Sequence, residues 1–122
     1  MFEKSPPTLA RLGPLAAQFR DCSFLANHRA PYANTASILY RMYDGASLSG
    51  AKRADRLQQL ADYWLLRSAG IRRLVEAQGM PLLTYEAFCA DPAAILSVLQ
   101  LPTGVAESID LTAQVQVKDY PL

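Results

Sequence analysis

A chain of 122 residues is expected to fold as one domain at most, and 51% hydrophobic with 19% charged residues is not the composition of a disordered polymer. A formal net charge of +1 supplies no global basic field, so charge gives no reason to expect a nucleic-acid partner. No apolar run approaches the roughly 18 residues needed to span a bilayer, and the start Met1-Phe2-Glu3-Lys4-Ser5-Pro6 has no apolar core of a secretory signal. The expectation is therefore a cytoplasmic chain with no membrane partner. Cys22 and Cys89 are the only cysteines and His28 the only histidine, so free thiols are expected and no metal.

In chain order, residues 8 to 19 predict a helix, with Leu9, Leu12, Leu15, Ala16 and Phe19 at three-to-four spacing and Gly13-Pro14 expected to break or kink it. Ser23-Phe24-Leu25-Ala26-Asn27 reads as a short buried strand. Pro31 suits the first position of a helix over 31 to 43, whose apolar side is Ile38, Leu39 and Met42. Gly45-Ala46-Ser47-Leu48-Ser49-Gly50-Ala51-Lys52 is a near miss for a phosphate loop. Its lysine is displaced, no Ser or Thr follows, and a helix rather than a strand precedes it, so it reads as a helix–helix connection.

Residues 51 to 78 predict a long amphipathic helix, striped by Ala54, Leu57, Leu60, Trp64, Ser68, Ile71 and Leu74 and weakened at Gly70. Gly79 suits its C-cap, with Pro81 just beyond. Met80 to Tyr85 is the second strand, and the long crossover between the two strands predicts parallel pairing. Asp91 is expected to cap a helix starting at Pro92, carrying Ile95, Leu96 and Leu99 and closed by Leu101-Pro102. Residues 111 to 117 alternate weakly, as a short edge strand or coil.

The run His28-Arg29-Ala30-Pro31 through Ser37 holds the most chemistry. It sets an arginine at a strand end and a serine eight positions later inside a helix. Free N–H groups at the helix start attract an anion. Arg29 adds a full charge with directed hydrogen bonds, and Ser37 a hydroxyl. The same run also fits an ordinary strand-to-helix turn with a surface arginine. His28, one residue before Arg29, should point to the opposite strand face, as a packed or a surface histidine. Trp64 reads as core. Tyr85 and Glu86 read as structural, the glutamate accepting backbone N–H groups or pairing with an arginine. Lys52, Arg53, Arg56, Arg67, Arg72 and Arg73 read as a solvated face.

Taken in order, Glu3-Lys4-Ser5-Pro6, the segment Phe19 to Leu25, Arg29-Ala30-Pro31 with Ser37, Trp64, and Tyr85-Glu86-Ala87-Phe88 with Asp91-Pro92 form a set. This set resembles the sulfotransferases that use 3′-phosphoadenosine 5′-phosphosulfate (PAPS), over roughly residues 2 to 102. The resemblance implies a helix-rich α/β fragment of a P-loop-like three-layer αβα domain with a small parallel sheet. It implies transfer of a sulfuryl group from PAPS to a hydroxyl or amine of a small-molecule or carbohydrate acceptor. Arg29 and Ser37 would contact the nucleotide 3′-phosphate, and Lys4 would lie near the sulfuryl group.

Three departures stand out. Ala30 replaces the usual Asp or Asn, and Pro6 occupies the place of a histidine found in some branches. No glycine-rich loop precedes Gly13. The chain therefore looks like the later portion of such a domain, with its first strand–loop–helix missing, and little activity is expected of it alone; no general base is assigned. The alternative is a non-catalytic remnant that binds a partner, or itself, through apolar surface.

Overall fold

A computed structural model of the chain describes residues 11–19 and 23–112. Its elements are α1 (Leu12–Gln18), β1 (Ala26–His28), α2 (Pro31–Met42), α3 (Gly50–Gln78), β2 (Leu82–Thr84), α4 (Tyr85–Ala90), α5 (Ala94–Val98) and α6 (Thr103–Ser108). The fold is α/β and helix-rich, with β1 and β2 forming a two-stranded parallel sheet. The expected parallel pairing is present, in the register Ala26–Leu82, Asn27–Leu83, His28–Thr84.

Both strands are shorter than the sequence suggests. Residues 23 to 25 precede β1, which extends instead through His28. The ladder is limited by its partner: Pro81 has no N–H to give, though its carbonyl accepts from Ala26 N at 3.0 Å. At the other end Tyr85 leaves the sheet, because Thr84 Oγ1 accepts from Ala87 N at 3.2 Å and caps α4. Tyr85, expected to end the strand, instead opens α4, a helix the sequence does not suggest.

The crossover is α2 followed by α3, which pack on each other, with α3 also against β1. Pro31 stands at the start of α2 as expected. The buried face of α2 is Thr35, Ala36 and Leu39, and the expectation for Met42 is corrected: it is 73% exposed. Met42 ends the helix, and the chain turns away there before α3 can cover it.

The connection to α3 is a built turn. Gly45 N donates to Leu39 O at 3.1 Å, and a Cβ on Gly45 would stand 2.9 Å from Leu39 Cγ. Arg53 donates to the Gly45 carbonyl and to Tyr40 Oη. It therefore ties this turn together rather than joining the solvated basic face expected for it.

The 29-residue α3 runs unbroken through Gly70. Leu60 is buried, Leu57, Trp64, Ser68, Ile71 and Leu74 are half-buried as the stripe predicts, and Ala54 is exposed. Gly79 ends the helix with φ 58°, its N–H donating to Val75 O. Gly79→Ala is expected to cost about 1 kcal/mol for placing a Cβ in the left-handed region, read as a lower denaturant midpoint with an unchanged slope.

The remaining elements differ from expectation at their ends. Gly13-Pro14 lies in the first turn of α1, where a missing N–H costs nothing; residues 8 to 10 of the predicted helix lie outside the described residues. The expected Asp91 cap with a helix from Pro92 is corrected: Asp91 Oδ1 accepts from Ala93 N at 3.0 Å in a turn that precedes the helix, and α5 begins at Ala94 with Ala93 at its N-cap and no capping side chain. α5 ends at Val98 with Leu99 as its C-cap, before the expected stop at Leu101-Pro102, and Pro102 is instead the N-cap of α6, a helix the sequence does not suggest. Residues 111 and 112 form a turn, and 113 to 117 lie outside the described residues.

α4 and α5 pack on β2. Among the described residues the buried set is small: Ala26, Thr35, Ala36, Leu39, Leu60 and Leu83. Among the same residues, no helix is long and apolar enough to cross a membrane.

Candidate functional site

In an open α/β sheet, ligands bind beyond the carboxyl ends of the strands. Here that end carries Arg29 after β1 and Tyr85 after β2. The opposite end holds a cleft of about 560 Å³, lined by Leu12, Phe24, Leu74, Met80 and Leu99 among others. No ionisable side chain lines it among the described residues, so it offers an anion no charge to pair with.

Arg29 is half-buried, and its guanidinium carbon lies 4.5 Å from the centroid of the Tyr85 ring. Such stacking satisfies the cation's face and leaves its edge for hydrogen bonds. Arg29 Nε is buried and has no hydrogen-bond partner. A buried charged donor left unpaired is costly, which marks it as a group waiting for an acceptor.

Glu86, beside Tyr85, does not take that role. Its Oε1 accepts instead from the backbone N–H of Ala30 at 2.9 Å. The expectation that this glutamate would accept a backbone N–H is met, across a sequence distance of 56 residues.

Trp64 is half-buried on α3, and its indole Nε1–H donates to the Arg29 carbonyl at 2.9 Å. His28 packs, its ring centroid 4.9 Å from that of Trp64. Its Nε2 lies 2.7 Å from Ser68 Oγ, which itself donates to Trp64 O at 2.7 Å. One hydroxyl proton cannot serve both bonds, so His28 Nε2 carries the proton and donates.

Ser37 is half-buried in the second turn of α2, and helical periodicity turns it away from the face formed by Thr35, Ala36 and Leu39. No hydrogen bond joins it to Arg29. The start of α2 has no capping side chain, since Ala30 at the N-cap brings none. Lys4 lies outside the described residues.

Tyr85 is the residue that sequence reasoning undervalued. Its phenol is held above the ordinary value of 10.0, first by the hydrogen bond with Cys89 and then by burial, with Arg29 pulling the other way. A raised folded value means that the neutral phenol is favoured by folding. The contribution is complete below pH 10.0 and is lost as pH rises above it. Alkaline titration of the unfolding midpoint is expected to show a fall above that pH, and Tyr85→Phe to make the fall shallower; identical profiles for the two proteins would refute this.

Comparison with family models, with curated proteins and with solved structures finds no match to this chain.

Proposed function

We propose that the chain is a sulfotransferase-like domain whose Arg29 edge binds the 3′-phosphate of PAPS. The observation that carries this reading is the buried, unpartnered Nε of an arginine braced on Tyr85 at the carboxyl end of a parallel sheet. The residues fit a phosphate dianion. Arg29 offers directed N–H groups, the uncapped start of α2 offers backbone donors, and Ser37 lies one turn beyond as a hydroxyl donor. In this reading β1, α2, α3 and β2 belong to a three-layer αβα domain of P-loop-like type. When bound, PAPS supplies an activated sulfuryl group.

This chain's residues bind and orient the nucleotide, and Lys4 neutralises charge near the transferring group. The acceptor is a hydroxyl or amine of a small molecule or carbohydrate. The test is a calorimetric titration with adenosine 3′,5′-bisphosphate, with adenosine 5′-monophosphate as the control lacking the 3′-phosphate. Micromolar binding of the first and much weaker binding of the second is the expected result; equal or absent binding of both would overturn the reading.

A second reading is favoured by the outer side of α3, where Leu65 and Leu66 are 60% and 70% exposed. Apolar side chains this open on one helix suit a partner or a second copy of the chain. If that surface carries the function, sedimentation shows concentration-dependent assembly that Leu66→Glu abolishes, with no nucleotide affinity.

A further inference from the structure

The Arg29–Ala30 peptide unit is held at both polar ends by side chains from two other elements. Its carbonyl accepts from Trp64 Nε1 at 2.9 Å, and its N–H donates to Glu86 Oε1 at 2.9 Å. We propose that Trp64 and Glu86 are positioning residues that set the direction of the Arg29 side chain through this one peptide plane. The proposal rests on the anion-site reading only for the identity of the ligand.

The argument begins with planarity. A peptide unit is rigid, so fixing its carbonyl and its N–H fixes ψ of Arg29 and φ of Ala30 together. Those two angles decide where the arginine side chain leaves the strand and where α2 begins. Ala30 sits at the N-cap with φ −52° and ψ 143°, and no side chain caps the helix locally. In a capping box, a glutamate at the third helical position would accept the N-cap N–H. That position here is Ala33, which has no acceptor, and Glu86 supplies the carboxylate from α4 instead. The neighbouring Tyr85 carries the guanidinium. One helix start thus fixes both the backbone and the tip of Arg29.

The other grip is itself braced. His28 packs on the Trp64 ring, and Ser68 joins the His28 imidazole to the Trp64 carbonyl. The indole plane is set before it meets the Arg29 carbonyl.

The chemistry makes an unusual prediction for Glu86. As a negative charge beside the guanidinium it opposes an incoming anion, while as an acceptor it holds the site's backbone. Glu86→Gln keeps the acceptor oxygen and removes the charge. Glu86→Ala removes both, and because Glu86 is exposed its truncation leaves the packing intact. Trp64→Phe keeps most of the ring and removes the donor.

The experiment reads two signals on the full chain: the Arg29 Nε–H resonance, which the Tyr85 ring displaces, and the affinity for adenosine 3′,5′-bisphosphate. Glu86→Ala and Trp64→Phe are expected to move the resonance and to weaken binding roughly tenfold, the loss that follows a single misplaced charge-assisted bond. Glu86→Gln is expected to leave the resonance in place and to bind as tightly as wild type or up to about threefold tighter. An unmoved resonance in both Glu86→Ala and Trp64→Phe overturns the proposal, and so does a Glu86→Gln protein that behaves like Glu86→Ala. If the resonances respond as expected while no variant, wild type included, binds the nucleotide, the positioning stands and the sulfonucleotide reading falls. If wild type and Glu86→Ala bind equally well, the nucleotide reading stands and the positioning falls.

Discussion

Arg29→Ala is expected to abolish measurable binding of adenosine 3′,5′-bisphosphate. Charge-assisted hydrogen bonds contribute about 1.5–3 kcal/mol each, and a guanidinium meets a phosphate through two of them, so the loss is on the order of a hundredfold or more. Arg29→Lys keeps the charge but loses both the fork and the flat contact with Tyr85, and is expected to fall between the two proteins.

The same substitution has an unusual signature in stability. Arg29 Nε is buried and unpaired, so the folded chain gains nothing from that donor. Removing it relieves a desolvation cost but also gives up the contact with Tyr85, so Arg29→Ala is expected to unfold close to the wild-type temperature. Calorimetry of binding and of unfolding on the same samples tests both halves. Retained affinity, or an unfolding temperature lowered by many degrees, would make Arg29 a structural residue and sink the anion site.

Leu39→Ala is expected to have the largest effect on stability. Leu39 is 0% exposed, the most completely buried side chain among the described residues, and stands on the α2 face against α3. Leucine-to-alanine changes at such sites cost about 2–5 kcal/mol, from the lost transfer energy and the cavity left behind. Domains of this size hold about 5–15 kcal/mol in total, so the change removes a large fraction. The buried apolar set is small, and Gly45 packs directly against the Leu39 side chain, leaving the α2–α3 turn without its backing. Urea unfolding followed by circular dichroism is expected to show a midpoint lowered by more than 1 M, taking a slope of about 1–3 kcal/mol per M. A shift under a few tenths of a molar would mean that the core lies elsewhere.

The resemblance drawn from Arg29, Ser37 and Tyr85-Glu86 remains a reading of the residues, since no comparison bears on it. What the site adds is a reason for two members of that set. Tyr85 carries the guanidinium, and Glu86 anchors the backbone beside it. Ala30 brings no polar side chain to the turn. The acceptor that the turn lacks locally comes from α4.

The sequence by itself determined the local grammar of the chain. Pro31 announced the start of α2, and the three-to-four stripe through Leu60, Trp64 and Ile71 announced α3. Gly79 announced the stop of α3, because only a residue tolerant of positive φ closes a helix that way. Two short apolar runs separated by a long crossover implied parallel strands. These features depend on neighbours within one or two turns, and periodicity records such neighbours directly.

Only the tertiary structure decided the rest. Strand ends moved by one to three residues because a ladder needs donors on both sides, and Thr84 drew Tyr85 into a helix. Met42 met solvent because α2 ends where α3 no longer covers it. Above all, the setting of Arg29 depends on Trp64 and Glu86, which lie 35 and 56 residues from their partners in the chain. A hydrophobic period says which face of a helix is covered, but not which distant side chain meets a given carbonyl or N–H. That choice is made by the packing of α3 and β2 around β1, and it is where the candidate site acquires its shape.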